Sequence, residues 1–373
     1  MNWEQRPLDE VIEYFIDYRG KTPRKTTHGI PLITAKIVKE GRLLDANEFI
    51  ALEDYDNWMT RGYPEIDDIV LTTEAPLGEV ALIKDKNVAL AQRIITLRGY
   101  KDRLDNRFLK YWFQSEYGQY ELDARASGTT VFGIKASVLK KMLVPVPCLH
   151  EQKTIASVLS SLDDKIDLLH RQNKTLEEMA ETLFRQWFIE EVKEDWKLGT
   201  LEHLIDLKYG KALKQEDRSG SGYPVVASSG VVGFHNEYLV EGPGIVIGRK
   251  GTLGKVYFME DSFYPIDTSY FIKTKIPESN LLFEYYLLKS SDFANMNSDS
   301  AVPGLNRNLA LGTPVQIPPL ERIAEFNKLA KPWFSKIYTN TKQIQTLEKI
   351  RDTLLPKLMS GEVRVEYKKV DAA

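Results

Sequence analysis

The feature of this chain that most limits its fold is a long internal repeat. Gln172–Glu177 (QNKTLE) returns as Gln343–Glu348 (QIQTLE), and Thr182-Leu183 returns as Thr353-Leu354. In both cases the two copies are 171 positions apart. A repeat of this length indicates two similar structural units. We therefore expect each half of the chain to contact a second piece of the same partner.

The repeat continues outside these segments with offsets that drift. Gly29–Ile33 matches Gly222–Val226 at an offset of 193, and Ile69–Leu71 matches Ile245–Ile247 at an offset of 176. Insertions between matching frames usually fall in surface loops, where recognition residues vary. We therefore divide the chain into two globular parts, each followed by a helical arm: residues 1–147, 148–191, 192–318 and 319–373.

The globular parts have the pattern of an α+β domain. Short apolar runs broken by Gly and Pro predict strands; they include Ile69–Leu71, Val80–Ile83, Ile94–Leu97, Gly244–Ile247, Val256–Phe258 and Tyr270–Ile272. Aromatic residues at helical spacing predict helices from Asn106 to Tyr120 and from Leu281 to Phe293. We expect six of these aromatic side chains to lie in the core and not to form a stacking platform: Tyr111, Trp112, Phe113, Phe283, Tyr285 and Tyr286.

The two arms have a spacing of threes and fours, which is typical of a coiled-coil seam. The predicted seam residues are Leu162, Ile166, Leu169, Asn173, Leu176, Leu183, Trp187, Trp333, Ile337, Asn340, Ile344, Leu347, Leu354 and Leu358. Because Pro332 cannot donate a backbone hydrogen bond, we expect a short helix from Leu320 and a longer one after Pro332. Ser160–Asp164 could begin a second helix in the first arm in the same way. Asn173 and Asn340 could fix the register of the pair.

Since each arm follows its own globular part, antiparallel pairing of the arms predicts a pseudo-twofold arrangement with one globular part at each end. A helix from Leu162 to Phe188 is roughly 40 Å long, and one turn of B-DNA is about 34–36 Å. The arms could therefore act as a ruler. The repeat alone also predicts that residues 1–190 could dimerise.

Several short strings follow one another along each of the two units. The first unit contains Gly128–Ile134 (GTTVFGI), Val144–Pro147 (VPVP) and His150–Ile155 (HEQKTI). The second unit contains Gly248–Val256 (GRKGTLGKV), Asp267–Tyr270 (DTSY) and Pro318–Glu321 (PPLE). In the order of these strings, duplicated at the expected distance, nearly the whole chain resembles a known family, the DNA-specificity subunits of type I restriction–modification systems.

The resemblance implies two target recognition domains that each read one half of a split site in double-stranded DNA, with an antiparallel coiled coil that sets the spacer. It also implies that this chain has no catalysis and binds no cofactor of its own. Two modification subunits would use S-adenosylmethionine to methylate adenine, and restriction subunits would use ATP and Mg²⁺.

Two other functions remain as alternatives. The chain could be a coiled-coil adaptor that does not recognise DNA, or a transferase or nuclease that acts alone.

Composition is consistent with an intracellular protein. The single cysteine, Cys148, cannot form an internal disulfide, which fits a reducing compartment. We find no signal peptide at Met1–Arg6 and no apolar run near the roughly eighteen residues of a membrane span. We therefore expect a cytoplasmic protein without a membrane segment. A net charge of −3 leaves room for local basic loops.

The first globular part contains three groups of residues that could contact DNA. Glu74 can accept a hydrogen bond from cytosine, and Gln92 and Arg93 can read adenine and guanine. Basic side chains near a turn, and hydroxyls after the aromatic helix, suit phosphates. The predicted residues are Lys21, Thr22, Arg24, Lys36, Thr73, Glu74, Gln92, Arg93, Ser127, Thr129 and Thr130. The alternatives are a solvated charged face, surface ion pairs and a helix cap.

The second globular part has matching positions with different chemistry. A Gly-rich hairpin presents Arg249, Lys250 and Thr252, and the 176 offset aligns Thr268-Ser269 with Gln92-Arg93. The predicted DNA-contacting residues are Lys208, Tyr209, Lys211, Ser228, Ser229, Arg249, Lys250, Thr252, Thr268, Ser269, Asn306, Arg307 and Asn308. For Asn306–Asn308 the competing interpretation is a helix N-cap.

Motifs for catalysis are not found in the sequence. Gly248–Val256 differs from a phosphate-binding loop, which needs Gly where Arg249 stands and Ser or Thr where Val256 stands. The five histidines are scattered without metal-ligand spacing. We therefore expect no metal and no catalytic residue, and we interpret the chain as a reader of DNA.

Overall fold

The computed structural model of the protein describes residues 3–128, 132–296 and 304–365. The chain divides into two compact units, Met1–Asp167 with Gln345–Ala373, and Leu168–Ile344. Each unit therefore combines one globular lobe with a segment of both arms. The boundaries predicted from the sequence assign each arm to the lobe before it, and they stay a prediction.

The first unit contains eleven named strands within the described residues. They are β1 (Gln5–Pro7), β2 (Ile12–Asp17), β3 (Ile30–Ile33), β4 (Val38–Lys39), β5 (Arg42–Leu43), β6 (Phe49–Ile50), β7 (Ile69–Thr73), β8 (Leu77–Leu82), β9 (Ala89–Leu90), β10 (Ile94–Gly99) and β11 (Leu143–Pro145). Its lobe also contains the helices α1 (Leu8–Val11), α2 (Tyr55–Trp58), α3 (Asn106–Gln114), α4 (Glu116–Asp123) and α5 (Ala136–Leu139). The first arm is the helix α6 (Leu149–Arg185), which a π-helical turn at Gln186–Glu190 extends.

The second lobe has the strands β12 (Lys197–Thr200), β13 (Ile205–Tyr209), β14 (Tyr223–Ala227), β15 (Gly230–His235), β16 (Gly244–Gly248), β17 (Val256–Met259), β18 (Tyr264–Pro265), β19 (Ser269–Thr274) and β20 (Pro314–Ile317). Its helices are α7 (Leu282–Lys289) and α8 (Arg307–Leu311), and the second arm is α9 (Leu320–Ser360). Short 3-10 turns lie at Leu52–Asp54, Leu201–His203, Gln215–Asp217 and Phe293–Asn295.

The main sheets and the smaller three-stranded sheets have the same topology in the two lobes. The main sheet has the order β2-β10-β7-β8 in the first lobe and β13-β19-β16-β17 in the second. A smaller sheet follows the order β6-β3-β9 in one and β15-β14-β18 in the other, each with one antiparallel and one parallel pair. The fold class is therefore α+β, and the internal repeat is confirmed.

The central strand β7 is buried along its whole length because both of its faces are covered. Successive side chains of a strand point to opposite faces. Ile69 and Leu71 pack in the cluster that contains α3, whereas Val70 packs in the cluster that contains β3 and β9. The sheet of the first lobe thus separates two cores, and the loops with the predicted DNA-contacting residues Thr73, Glu74, Gln92 and Arg93 lie at the ends of its strands.

The predicted helix Asn106–Tyr120 is interrupted at Ser115. Ser115 has an extended backbone conformation, and its side chain caps α4 by accepting from the Gly118 N–H at 3.3 Å. A Cβ atom at Gly118 would lie 2.1 Å from the Trp112 carbonyl oxygen, so this corner requires glycine. The core assignment of the aromatic residues is confirmed, since Tyr111, Trp112, Phe113, Phe283 and Tyr286 are buried.

Each arm is a single long helix, so the prediction that Pro332 begins a new helix is wrong, as is the prediction of a second helix at Ser160–Asp164. Pro332 removes one hydrogen bond to the carbonyl of Lys328. Lys328 and Pro332 are both exposed, so water can satisfy that carbonyl. Buried neighbours such as Phe326 and Ala330 hold the helix in place.

The arms pair antiparallel within each unit, as predicted. In the first unit Ile155, Ala156 and Leu159 share a core with Leu358 and Met359. In the second unit Phe184 and Phe188 pack on Phe326, with ring centroids 5.8 and 5.5 Å apart. The fourteen predicted seam residues are all buried or half-buried. The coiled-coil prediction is therefore confirmed.

A buried ion network connects the first lobe to its arms. Asp163 of α6 accepts from the Lys110 ammonium at 2.5 Å and the Tyr111 hydroxyl at 2.7 Å, and it pairs with Arg351 of α9 at 3.2 Å. Burial by itself would raise the pKa of Asp163, but Lys110, Tyr111 and Arg351 together lower it. Burial lowers the pKa of Lys110, and Asp163 opposes that effect. The network therefore holds Asp163 ionised.

The network predicts that the first unit is sensitive to acid. Because the pKa of Asp163 is lower in the folded state than the ordinary carboxyl value of about 4, the network stabilises the fold above that value. The stabilisation is lost as the pH falls through the folded pKa. Between about pH 5 and pH 3, the unfolding midpoint of the wild-type protein should fall more steeply than that of Asp163→Asn. Calorimetry over a pH series measures this, and parallel curves would contradict it.

Candidate nucleic-acid interface

In the second lobe, seven of the predicted DNA-contacting residues line one open cleft. They come from the end of β13, the hairpin after β16 and the start of α8: Lys208, Tyr209, Arg249, Lys250, Asn306, Arg307 and Asn308. Leu207, Tyr270, Gly304 and Leu305 complete the lining. Residues that are up to 100 positions apart in sequence, such as Leu207 and Arg307, are thus in contact.

Backbone hydrogen bonds tie the three segments of the cleft together. The Leu305 N–H donates to the Arg249 carbonyl at 2.9 Å, and Lys250 forms a β-bridge with Gly304. The N–H groups of Arg249 and Lys250 both donate to the Thr268 carbonyl, at 2.9 and 3.1 Å. The hairpin is therefore fixed by its main chain, and its side chains are free to differ.

Aromatic stacking positions Arg249. Its guanidinium carbon lies 4.9 Å from the centroid of the Tyr209 ring and 5.7 Å from that of Tyr270. The Arg249 Nη1 donates to the Asp267 carbonyl at 3.1 Å, and the Tyr270 hydroxyl donates to the Leu305 carbonyl at 3.0 Å. A planar guanidinium that is held in this way suits bidentate contact with O6 and N7 of guanine.

The cleft is electropositive. Its lining contains four cationic side chains, Lys208, Arg249, Lys250 and Arg307, and among the described lining residues there is no carboxylate. Asp206 lies beside the cleft and pairs with Lys208 and Arg307, each at 2.5 Å. The hydrogen bond from Lys208 is the main cause that lowers the pKa of Asp206, and Arg307 adds to it. Asp206 therefore stays ionised and forms ion pairs with two of the four cations. Arg249 and Lys250 are the two cations of the cleft that Asp206 does not neutralise.

Asn306 acts as a helix cap, which was the competing interpretation. Its side-chain oxygen accepts from the N–H groups of Asn308 and Leu309, at 2.9 and 3.2 Å, and so begins α8. Arg307 also has an internal partner, the Leu207 carbonyl at 2.8 Å. Asn308 is exposed at the cleft. We therefore keep the prediction of a direct DNA contact for Asn308 and treat Asn306 and Arg307 as residues that shape the cleft.

The remaining predicted residues of the second lobe differ in exposure. Lys211, Ser229 and Thr252 are exposed and Thr268 is half-buried, whereas Ser228 is buried. Ser269 is fully buried, with its hydroxyl 2.8 Å from the Ile266 carbonyl. Its side chain cannot reach a ligand on the surface, so the prediction for Ser269 is corrected: it packs inside the sheet.

The first lobe places its predicted residues on an equivalent rim. Gln92 donates to the Thr22 hydroxyl at 3.3 Å, and Arg93 forms an ion pair with Glu74 at 3.1 Å. Glu74 and Ser127 each form a β-bridge with Gly133. The loop that carries Ser127 therefore lies against the loop that carries Glu74. Thr129 and Thr130 fall outside the described residues.

The two rims share one backbone frame. The Ile134 N–H donates to the Thr73 carbonyl, as the Leu305 N–H does to the Arg249 carbonyl. The Thr73 N–H donates to the Arg93 carbonyl, as the Arg249 N–H does to the Thr268 carbonyl. Thr73 is thus equivalent to Arg249, and Arg93 to Thr268. Because 93 and 268 are 175 positions apart, the alignment of Arg93 with Ser269 was wrong by one residue.

The same frame carries different chemistry in each lobe. Glu74 forms the bridge that Lys250 forms in the second lobe. Thr73 is buried where Arg249 lines the cleft, and Arg93 has a left-handed backbone conformation with φ of 77°. That conformation is uncommon for a residue with a side chain and marks strain at functional sites. The two lobes therefore present different sets of donors and acceptors.

The basic residues near Lys21 are partly engaged in surface ion pairs. Lys25 and Lys36 both pair with Glu48, at 2.7 and 3.4 Å. The hydrogen bond from Lys25 is the main cause that lowers the pKa of Glu48, with Lys36 adding to it. Lys21, Thr22 and Arg24 are exposed. The solvated-face interpretation therefore fits Lys36 better than it fits Lys21 and Arg24.

Sequence reasoning missed two residues that build the cleft. The Tyr270 ring makes a cation–π contact with Arg249, and Asp206 forms ion pairs with Lys208 and Arg307. Tyr270 ends the string Asp267–Tyr270, so its position next to the predicted contacts was an available signal. Asp206 lies two residues before the predicted contact Lys208, but its pairing with Arg307, 101 positions away, depends on the fold.

Within the described part of the chain, no helix is both long and apolar enough to cross a membrane. Among the same residues, no group of three or more His, Cys, Asp or Glu side chains could hold a metal ion.

The fold is that of a solved specificity subunit. The chain is similar to the S subunit of the type I restriction–modification system from M. genitalium, with a TM-score of 0.64, 23% identity, and coverage of 99% of this chain and 97% of that one. At this level of identity the likeness shows the fold alone.

The family follows from the sequence. The family model for the type I restriction modification DNA specificity domain matches residues 1–178 and 193–349. The chain belongs to this family. Among its relatives is the Type I restriction enzyme MjaIX specificity subunit of Methanocaldococcus jannaschii, 28% identical over 80% of this chain and 78% of the relative. Another is the Type I restriction enzyme EcoprrI specificity subunit of Escherichia coli, 26% identical over 86% of this chain and 84% of the relative.

Proposed function

We propose that this chain reads a bipartite DNA site, one half with each lobe, for a type I restriction–modification complex in the cytoplasm. The observation that carries the proposal is the shared backbone frame with different side chains. The frame places Glu74 and Arg93 on one rim and Arg249 and Lys250 on the other. Two lobes that share a backbone frame but present different side chains are suited to two different half-sites.

The second lobe is suited to a half-site that contains guanine. Arg249 matches the acceptors of guanine in the major groove, and Lys250 and Lys211 suit the neighbouring phosphates. In the first lobe Glu74 can accept from a cytosine amino group, and Gln92 can read adenine. Thr22, Ser127 and Asn308 would add hydrogen bonds to the backbone of the duplex.

The arms would set the distance between the half-sites. The continuity of α6 and α9 supports this proposal, since uninterrupted helices would make a stiff spacer whose length depends on the number of residues. We further propose that the chain is non-catalytic and docks two modification subunits. Those subunits would supply S-adenosylmethionine chemistry, and ATP-dependent restriction subunits would join them.

Footprinting of the assembled complex on DNA tests this function against a coiled-coil adaptor. We expect two protected patches that are separated by a less protected spacer, since each lobe contacts only its own half-site. Pure chain incubated with DNA and S-adenosylmethionine should leave the DNA unmethylated. A single protected patch, no protection, or methylation by the isolated chain would contradict the proposal.

A further inference from the structure

The internal repeat creates an ambiguity in how the arms pair. Since α6 and α9 carry the same pattern 171 positions apart, the α6 of a second copy could occupy the place of α9, and the α9 of a second copy that of α6. An apolar seam would accept these like-with-like pairs almost as well as the native pair. Two polar layers of the structure bear on this choice.

The first polar layer lies in the second unit. Asn340 is fully buried and donates to the Asn173 side-chain oxygen at 2.8 Å. The repeat equivalent of Asn340 is Leu169, and that of Asn173 is Ile344, each 171 positions away. Pairing of α6 with a second α6 would therefore set Asn173 against Leu169. Pairing of two α9 helices would set Asn340 against Ile344. A side-chain amide would therefore lose its partner in both cases, half-buried Asn173 in the first and fully buried Asn340 in the second.

The second polar layer lies in the first unit and is the network of Lys110, Asp163 and Arg351. The equivalent of Lys110 is Tyr285, at the offset of 175 that also relates Arg93 to Thr268, and the equivalents of Asp163 and Arg351 at the offset of 171 are Phe334 and Ala180. These three residues pack in one apolar cluster. The Tyr285 and Phe334 ring centroids are 5.9 Å apart, and Ala180 is fully buried. The same architecture is thus ionic in one unit and apolar in the other.

This difference also opposes like-with-like pairing. A second α6 would bring Ala180 to the first unit and leave the buried Lys110–Asp163 pair without Arg351. A second α9 would bring Arg351 to the second unit and set its guanidinium against Phe334. In both like-with-like pairs, charged side chains would therefore face apolar ones: Lys110 and Asp163 would face Ala180, and Arg351 would face Phe334.

We propose that these two layers form a pairing code that makes the arms select each other and reject the arms of a second copy. The code opposes the dimerisation of residues 1–190 that the repeat alone predicts. It also keeps two different lobes on one spacer, because a like-with-like pair would carry two copies of the same lobe. This proposal concerns assembly and does not depend on DNA binding.

Single substitutions in the full chain can reproduce each mismatched layer. Asn340→Leu sets Asn173 against an apolar residue, as two α6 helices would, and Asn173→Leu does the same to Asn340. Arg351→Ala gives the first unit the alanine that a second α6 would bring there. Ala180→Arg gives the second unit the arginine that a second α9 would bring there. Each variant therefore measures the cost of a like-with-like contact inside the native molecule.

Matched variants distinguish a code from a simple stabilising contact. The double variant N173L/N340L makes the first layer wholly apolar. The triple variant K110Y/D163F/R351A gives the first unit the residues of the second. Lys349→Ala, on the exposed face of the same arm, controls for substitution in the helix. Unfolding temperatures of the full chains are measured by calorimetry.

We expect each mismatched variant to unfold at least about 4 °C below the wild-type protein, with K349A unchanged. We expect both matched variants to unfold at or above the wild-type temperature, because well-packed apolar residues can replace a buried polar layer without loss. A mismatched chain that fails to fold while its matched counterpart folds supports the code. The proposal is overturned if the mismatched variants unfold at the wild-type temperature. It is equally overturned if the matched variants are as unstable as the mismatched ones or do not fold.

Discussion

Arg249→Ala should reduce methylation of the native site by the assembled complex about 10- to 100-fold, which is the loss of one bidentate base contact. The Arg249 guanidinium lies against the rings of Tyr209 and Tyr270, and Arg249 lines the cleft with Lys250. Removing the guanidinium deletes the planar donor pair and leaves the backbone of the hairpin intact. Discrimination should relax at one base of the second half-site, and the first half-site should be read as before. Methylation rates on oligonucleotides with single base changes measure this.

Two variants serve as controls for Arg249. Arg249→Lys keeps the charge and loses the planar fork, so it should keep affinity better than selectivity. Lys289→Ala removes an ion pair with Glu181 on the arm side of the same unit and should leave methylation unchanged. If Arg249→Ala weakens binding equally on all sequences, Arg249 is a phosphate contact and the assignment to a base is wrong.

Adding one heptad to both arms should lengthen the preferred spacer without altering either half-site. Seven residues add roughly 10.5 Å to a helix, which is about three base pairs at 3.4 Å per step. Insertion after Asp167 in α6 and after Ile344 in α9 falls at the boundaries of the two units, so the contacts within each unit are kept. The methylated sequences in cells that express the complex give the spacer directly.

The heptad experiment has its own control. Insertion into α6 alone makes the two arms unequal in length, so the seams of the two units cannot both stay in register, and it should abolish methylation. If the double insertion changes the half-site preference, or leaves the spacer as it was, the arms are not a ruler.

The arms and the repeat could be predicted from sequence because their signals are local and periodic. Seam residues recur at threes and fours over long segments, and every one of them is buried or half-buried in the structure. The strands of the main sheets could be predicted for the same reason, since apolar runs such as Ile69–Leu71 are bounded by turn residues.

Features that depend on tertiary contacts could not be predicted. The helix continues through Pro332 because buried neighbours outweigh one lost hydrogen bond. Arg351 interrupts the apolar pattern, and only the fold reveals that it pairs with Asp163, 188 positions away. Likewise Ser269 follows two polar residues, and its burial is set by the pairing of β19 with β16. At the candidate site the sequence indicated the loops, and the fold decided which side chains line the cleft.

The most direct test of the whole account is to sequence the methylated positions in the DNA of cells that express this chain with its modification subunits. The account predicts one split motif, with two unlike half-sites and a spacer of fixed length, and its second half should change when Arg249 is replaced. A single continuous motif, two identical half-sites, or methylation that does not depend on this chain would contradict it.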